Sequence, residues 1–304
     1  MIRSAILPAL VAGPLWAAPS VIADLPVTAG LSTAVLGEPV PSLLAPGDDP
    51  HTASLRPSQA RAMGSADLIV RLGNGLTPWL DGPTASLADR VLVLEAPEEH
   101  HDDSEAHEEH QDHEDHEGHD HAEHHDDHDE HAHHDHGMHG WLDPAIASSW
   151  LDEIATALGE IEPDAAETYR SNAAEGAAAI RQAAEAASAR LAENPPGAIL
   201  AVHDAWGPAA EAYGLPLAGT ISQSDATRPG VRHLGEVEAR IEEGDVACLL
   251  AAPGDDRSQA QRLSEAYDIP IVTLPLTGKD GAEGLDAYLA LIEGIGNLSE
   301  TCTR

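Results

Sequence analysis

Histidine is the residue that could do chemistry in this chain, and 16 of its 19 copies fall between His100 and His139. His100, His101, His107, His110, His113, His116, His119, His121, His124, His125, His128, His131, His133, His134 and His136 alternate with carboxylates in a run that opens at Glu98 and closes before GMHGWLDP. Imidazole and carboxylate together form a low-specificity trap for divalent transition metals, zinc above all. The run has no apolar periodicity, so a solvated, mobile loop is predicted over 98–137. Acidic filler or a cloning tag is the dull alternative. A tag, however, normally sits at a terminus and is nearly pure His, whereas this run lies mid-chain and alternates with acid.

Outside that run three histidines occupy comparable places: His51 in PGDDPHTASLRPSQ, His139 in GMHGWLDP and His203 in AVHDAWGP. His51 and His203 follow apolar runs that read as strands, at what would be the carboxyl ends of parallel sheets, where open α/β sheets bind ligands. His139 stands at the foot of the His-rich run. Three neutral imidazoles suit zinc, with a fourth position left for water or a carboxylate. Each ring needs an acceptor to fix it, and Asp143 and Asp204 are near in sequence. A single His beside a turn is ordinarily just a surface polar group, and His233, in RPGVRHLGEVE, stays in that class.

The elements that must position these rings read as alternating strands and helices. Strands are predicted at Ser20–Ala23, Val40–Leu44, Asp67–Leu72 and Val91–Leu94, with helices near 28–36 and 56–63 and a short turn or helix at 76–80. Pro144 opens a helix to about Glu160. A second, Ala-rich helix runs from about Pro163 to Glu193, with Tyr169, Ile180 and Leu191 on one face, until Asn194-Pro195-Pro196-Gly197 stops it. At roughly 45 Å it exceeds what one small sheet needs, so it reads as a strut between two lobes. Alternation then resumes, with strands at 198–203, 217–221, 246–251 and 269–274 and helices at 208–213, 233–243, 257–267 and 283–298. This predicts an N-terminal α/β lobe over 19–162, a linking helix over 163–194 and a C-terminal α/β lobe over 195–304.

Net charge is −38, and 18 of the acids lie in the His-rich run, which leaves about −20 elsewhere. Such a surface repels nucleic acid and anionic membrane and suits a protein that handles cations. Phe is absent, so the core must be Ala, Leu, Ile and Val. Arg3, the short apolar run Ile6–Trp16 and the small Ala17 and Ala18 read as a secretory signal over 1–18, cleaved near Ala17/Ala18. In an exported chain the two cysteines, Cys248 and Cys302, most simply pair, with free thiols or soft metal ligands as the alternative.

The motifs PHTASLRPS, ADLIVRLGNGLTPWL, MHGWLDP, TYRSNA, AVHDAWG and RPGVRHLGEVE occur in that order over nearly the whole mature chain. Together they resemble the periplasmic zinc-binding proteins of bacterial high-affinity zinc ABC uptake transporters, a metal solute-binding family with a His-rich loop. The resemblance implies two α/β lobes joined by a long rigid helix, with the metal in the inter-lobe cleft on His51, His139 and His203. It also implies a disulfide matching Cys248 with Cys302. This chain departs from the family at two carboxylate positions: an AEPQ-like segment reads Ala251-Ala252-Pro253-Gly254, and a TLDPLG-like one reads Thr273-Leu274-Pro275-Leu276-Thr277-Gly278. Pro50, just before His51, cannot donate a side chain either. The fourth ligand is then water or a neighbouring acid such as Asp49, Asp255 or Asp280.

The reading that follows is a non-enzymatic capture protein that binds Zn(II) in the periplasm and delivers it to an ABC permease and its ATPase. A periplasmic zinc chaperone is a further candidate partner, and a monomer is expected. All-imidazole ligation favours zinc over harder manganese, although copper and nickel would bind the same set in vitro. The alternatives are a stand-alone zinc buffer or metallochaperone, and a three-His zinc hydrolase using Asp204 or Glu211 as base.

Overall fold

A computed structural model describes residues 18–73, 75–97, 138–222, 229–244, 246–278 and 284–303. The signal segment, the His-rich run with its fifteen histidines, and Asp280 lie outside the described residues.

The first half builds a three-stranded parallel sheet in the order β1 (Val21–Ala23), β2 (Leu68–Leu72), β3 (Val91–Leu94). Helices α1 (Pro26–Leu36), α2 (Pro57–Ser65) and the short α3 (Asp81–Ala85) fill the crossovers. The predicted strand at Val40–Leu44 is reduced to one parallel bridge, Ala23 to Ser42. Pro41 has no N–H to give a ladder, and what remains is Ala23 N to Pro41 O at 3.0 Å, Leu43 N to Ala23 O at 2.8 Å and Leu44 N to Asp24 O at 3.0 Å.

Two helices follow. Pro144 occupies the first turn of α4 (Pro144–Ile161), and Asp143 caps it by accepting from Ala145 N at 2.7 Å. Helix α5 (Ala166–Glu193) has 28 residues and is about 42 Å long. Its buried stripe, which includes Tyr169, Ala173, Ile180 and Leu191, packs against α1 and α4. The expected strut is therefore a spine buried along one side.

The second half builds a four-stranded parallel sheet in the order β5 (Leu217–Ser222), β4 (Ala198–His203), β6 (Val246–Ala251), β7 (Ile271–Thr273). Its helices are α6 (Gly207–Tyr213), α7 (Val231–Glu242), α8 (Ser258–Tyr267), α9 (Leu285–Gly296) and α10 (Leu298–Thr301). Strand β6 is buried at all six positions, the continuous apolar run expected of a parallel strand covered on both faces. Helix α9 turns back to pack on α5 and α1. The two lobes therefore share one hydrophobic core, running from Val21 through Trp150 and Ile180 to Ile295. With no Phe, its largest members are tryptophans: Trp141, Trp150 and Trp206 are each 1% exposed. Cys248 of β6 is bonded to Cys302, 54 residues away.

Candidate metal site between the lobes

His203 is the last residue of β4 and lies 2% exposed at the carboxyl end of the second sheet. His203 is paired with Ser222 of β5, and Ala201 two residues before it is paired with Leu250 of β6, so the strand is held from both sides up to the ring. His139 precedes a short 3-10 turn, Gly140–Leu142, whose Leu142 N closes on His139 O at 3.0 Å. Gly140 is required at that turn, since a Cβ there would stand 2.7 Å from the Ala96 methyl. His139 is thereby seated 4% exposed against the first sheet.

His51 lies on the loop between the Ser42 bridge and α2, half-buried. Two bonds shape its approach. Asp49 accepts from His51 N at 2.8 Å and from Thr52 Oγ1 at 2.5 Å, an Asx turn that spends its carboxylate on the backbone. The Trp79 indole donates to Pro50 O at 2.8 Å. Trp79 follows Thr77, whose backbone oxygen and hydroxyl accept from the buried Arg71 guanidinium. The wholly buried Asp24 accepts from Leu72 N at 2.9 Å, from Leu25 N at 2.7 Å and from Thr28 Oγ1 at 2.7 Å. A chain of buried polar contacts thus runs from the first sheet to the residue beside His51.

The three rings meet. His139 is 5.8 Å from His51 and 6.0 Å from His203 between ring centroids. Imidazoles sharing a tetrahedral zinc through bonds of about 2 Å would have centroids about 5 Å apart. The rings are therefore wider apart than a closed coordination sphere, and among the described residues no three His, Cys, Asp or Glu side chains are placed closely enough to hold a metal ion as they stand. Burial, with His203 and His51 beside it, holds His139 well below the usual histidine range. It is thus kept in the neutral form that binds metal.

The cavity they line measures about 40 Å³, with Asp48, Asp49, Trp141, Ala252, Asp255 and Thr277 also in its wall. Its walls come from both halves of the chain. Trp141, its ring 5.2 Å from that of His139, donates across the interface to Leu276 O at 2.7 Å. Tyr288 of α9 in turn donates to Trp141 O at 2.5 Å. Gly254 faces the opposite loop so closely that a Cβ would lie 3.0 Å from Gly47 O.

Of the acids named around the site, Asp49 and Asp255 line the cavity. Asp143 caps α4 through Ala145 N, and Asp204 is not part of the cavity wall. Asp255 stands beside a ring: its Oδ1 lies 3.0 Å from His203 Nδ1 and its side chain is 2% exposed. Its Oδ2 accepts from Ala252 N at 2.7 Å. Asp48 accepts from Ala45 N at 3.1 Å. His233 stays outside, its Nε2 2.9 Å from Thr220 O. The sequence reading missed Trp79 and Trp141 as supports; Trp141 stands two residues after His139, whereas Trp79 lies 28 residues from His51 with no local signal.

Two parallel-sheet lobes with a long helix, and imidazoles facing each other between them, define a metal-capturing solute-binding protein. The family model for the periplasmic zinc-uptake complex component A, ZnuA, matches residues 21–298, and the chain belongs to that family. It is 37% identical over 298 residues to the high-affinity zinc uptake system protein ZnuA of Paracoccus denitrificans, covering 93% of this chain and 91% of that one. It is 32% identical over 329 residues to the protein of the same name from Haemophilus influenzae, covering 98% and 97%. Among solved structures, the periplasmic zinc binding protein TroA from Treponema pallidum matches with a TM-score of 0.74 at 16% identity, over 95% of this chain and 100% of that one. A crystal structure of ZnuA matches at 0.71 and 18%, over 94% and 100%. At those identities the structural likeness is one of fold.

Proposed function

We propose that this protein captures Zn(II) in the periplasm and hands it to an ABC permease and its ATPase for import, with His51, His139 and His203 as the ligands. The observation that carries the reading is the convergence of three imidazoles from separate segments on one small cavity between the lobes. Zinc is cargo here, and no bond other than coordination forms or breaks. Water is the fourth ligand in this reading. Each acid in the cavity wall has another partner: Asp48 the backbone at Ala45, Asp49 the backbone at His51, and Asp255 the pair His203 and Ala252.

Volume argues against the hydrolase alternative. About 40 Å³ holds an ion and a water, whereas sites for organic substrates run to roughly 300 Å³ or more. The same reading has the chain exported, cleaved near Ala17/Ala18 and working as a monomer, with a periplasmic zinc chaperone as a candidate donor. Calorimetric titration with zinc is the test. His51→Ala, His139→Ala and His203→Ala are each expected to weaken the tight site by on the order of 100-fold or more, since a ligand should matter beyond its supports. Full affinity in any one variant removes that residue from the set. Deleting residues 100–136 is expected to abolish several weak sites and keep the tight one; loss of the tight site would place it in the His-rich run instead.

A further inference from the structure

Asp255 is a buried carboxylate that the family resemblance does not assign. It lies on the loop after β6, four residues past the strand's last residue, Ala251. The loop is braced from two sides: Ala252 N donates to Asp255 Oδ2, and Arg257 donates to Ala252 O at 2.9 Å and to Thr273 Oγ1 at 3.0 Å. This leaves Asp255 Oδ1 3.0 Å from Nδ1 of His203, at contact distance but short of an aligned N–H···O bond, so a small turn of the ring would complete it.

We propose that Asp255 is the positioning residue of the site: it accepts the Nδ1 proton of His203 and so fixes the tautomer that presents a bare Nε2 to the metal, without itself becoming a ligand. The inference rests on the zinc-capture reading for its purpose but not for its geometry. A neutral imidazole offers one nitrogen as donor and one as acceptor, and in water the two forms exchange freely. A fixed acceptor on one nitrogen ends the exchange and orients the ring. The rings of His51 and His139 face the cavity from the opposite lobe, so a His203 ring presenting its other nitrogen would offer zinc an N–H in place of a lone pair. A carboxylate already spanning the backbone at Ala252 and the ring of His203 would give up both contacts to reach a metal.

Two-bond proton–nitrogen NMR on the full-length, metal-free protein at pH 8 tests the geometry, with the His203 signals identified by their loss in His203→Ala. The wild type is expected to show a protonated Nδ1 and a bare Nε2 at His203. Asp255→Ala is expected to lose that pattern and to bind zinc about 10–100-fold more weakly in competition with a chromogenic chelator. Asp255→Asn, which keeps an acceptor oxygen, is expected to retain the tautomer and recover most of the affinity. An unchanged tautomer in Asp255→Ala overturns the proposal, as does unchanged affinity. So does Asp255→Asn binding as weakly as Asp255→Ala with the tautomer intact, because the carboxylate would then be a ligand. Should wild type show the expected tautomer yet bind no zinc, the zinc-capture reading fails while the role of Asp255 in fixing the ring stands.

Discussion

At the scale of single residues, the site depends on groups that touch no cargo. Trp79, Trp141 and Asp255 each hold one histidine segment by a contact of 3.0 Å or less. Asp24 lies further back and holds the end of β2, from which the Trp79 segment departs. Burial pushes its carboxyl from 3.8 up to about 6, against the opposing bonds from Thr28, Leu72 and Leu25 and the charge of Arg71. The unfolded chain ionises this group near 3.8, while the folded chain resists ionisation until about 6. Its contribution to stability is therefore full below pH 3.8 and lost as pH rises through about 6. Relative to the non-titrating Asp24→Asn, the wild type is expected to lose on the order of 2–3 kcal/mol between pH 4 and 7.5. Urea unfolding of both proteins across that range measures it, and a difference independent of pH contradicts it.

At the scale of elements, each strand end delivers a functional loop, and what secures the strands secures the site. Strand β6 carries the Asp255 loop at one end and Cys248 within it. The bridge to Cys302 ties this central strand to the chain end beyond α10, and Gly197 N also donates to Cys302 O at 2.8 Å. Closing a segment of 54 residues stabilises by roughly 4 kcal/mol in the chain-entropy model. Replacing both cysteines by serine is expected to lower Tm by several degrees in calorimetry. Zinc affinity should move by less than about threefold, because Ala251 and the loop beyond it remain paired to β7. A Tm equal to wild type would mean that the shared core alone secures β6.

At the scale of the whole molecule, contacts of different kinds meet where the lobes face each other at the cavity. Gly47 and Gly254 approach with no side chain between them, and the Trp141 indole reaches Leu276 O. The glycines set how close the loops can come, and the indole bond sets how readily they part. Trp141→Phe keeps the buried ring and deletes the donor. It is expected to speed zinc release about 5–10-fold, the worth of one hydrogen bond of about 1 kcal/mol, and to lower Tm because the smaller ring underfills a buried site. Stopped-flow chelation reads the rate, and an unchanged rate would show that this bond does not hold the lobes together.

The amino-acid order by itself determined the α/β alternation, the long helix and the three histidines, because apolar runs, proline stops and rare imidazoles are local signals. It also marked Cys248 and Cys302 as candidate partners, since an exported chain with two cysteines leaves few alternatives. It overstated Val40–Leu44, where apolar residues suggested a strand and Pro41 withheld a donor the ladder needs. It named Asp143, Asp204 and Asp255 as acids near the rings, and proximity along the chain favoured the first two. Only the tertiary structure decided that Asp255, 52 positions beyond His203, is buried with it and in contact with its ring. Partners across a parallel sheet are set by crossover geometry, and the residues between them carry no local mark of which side chains will meet.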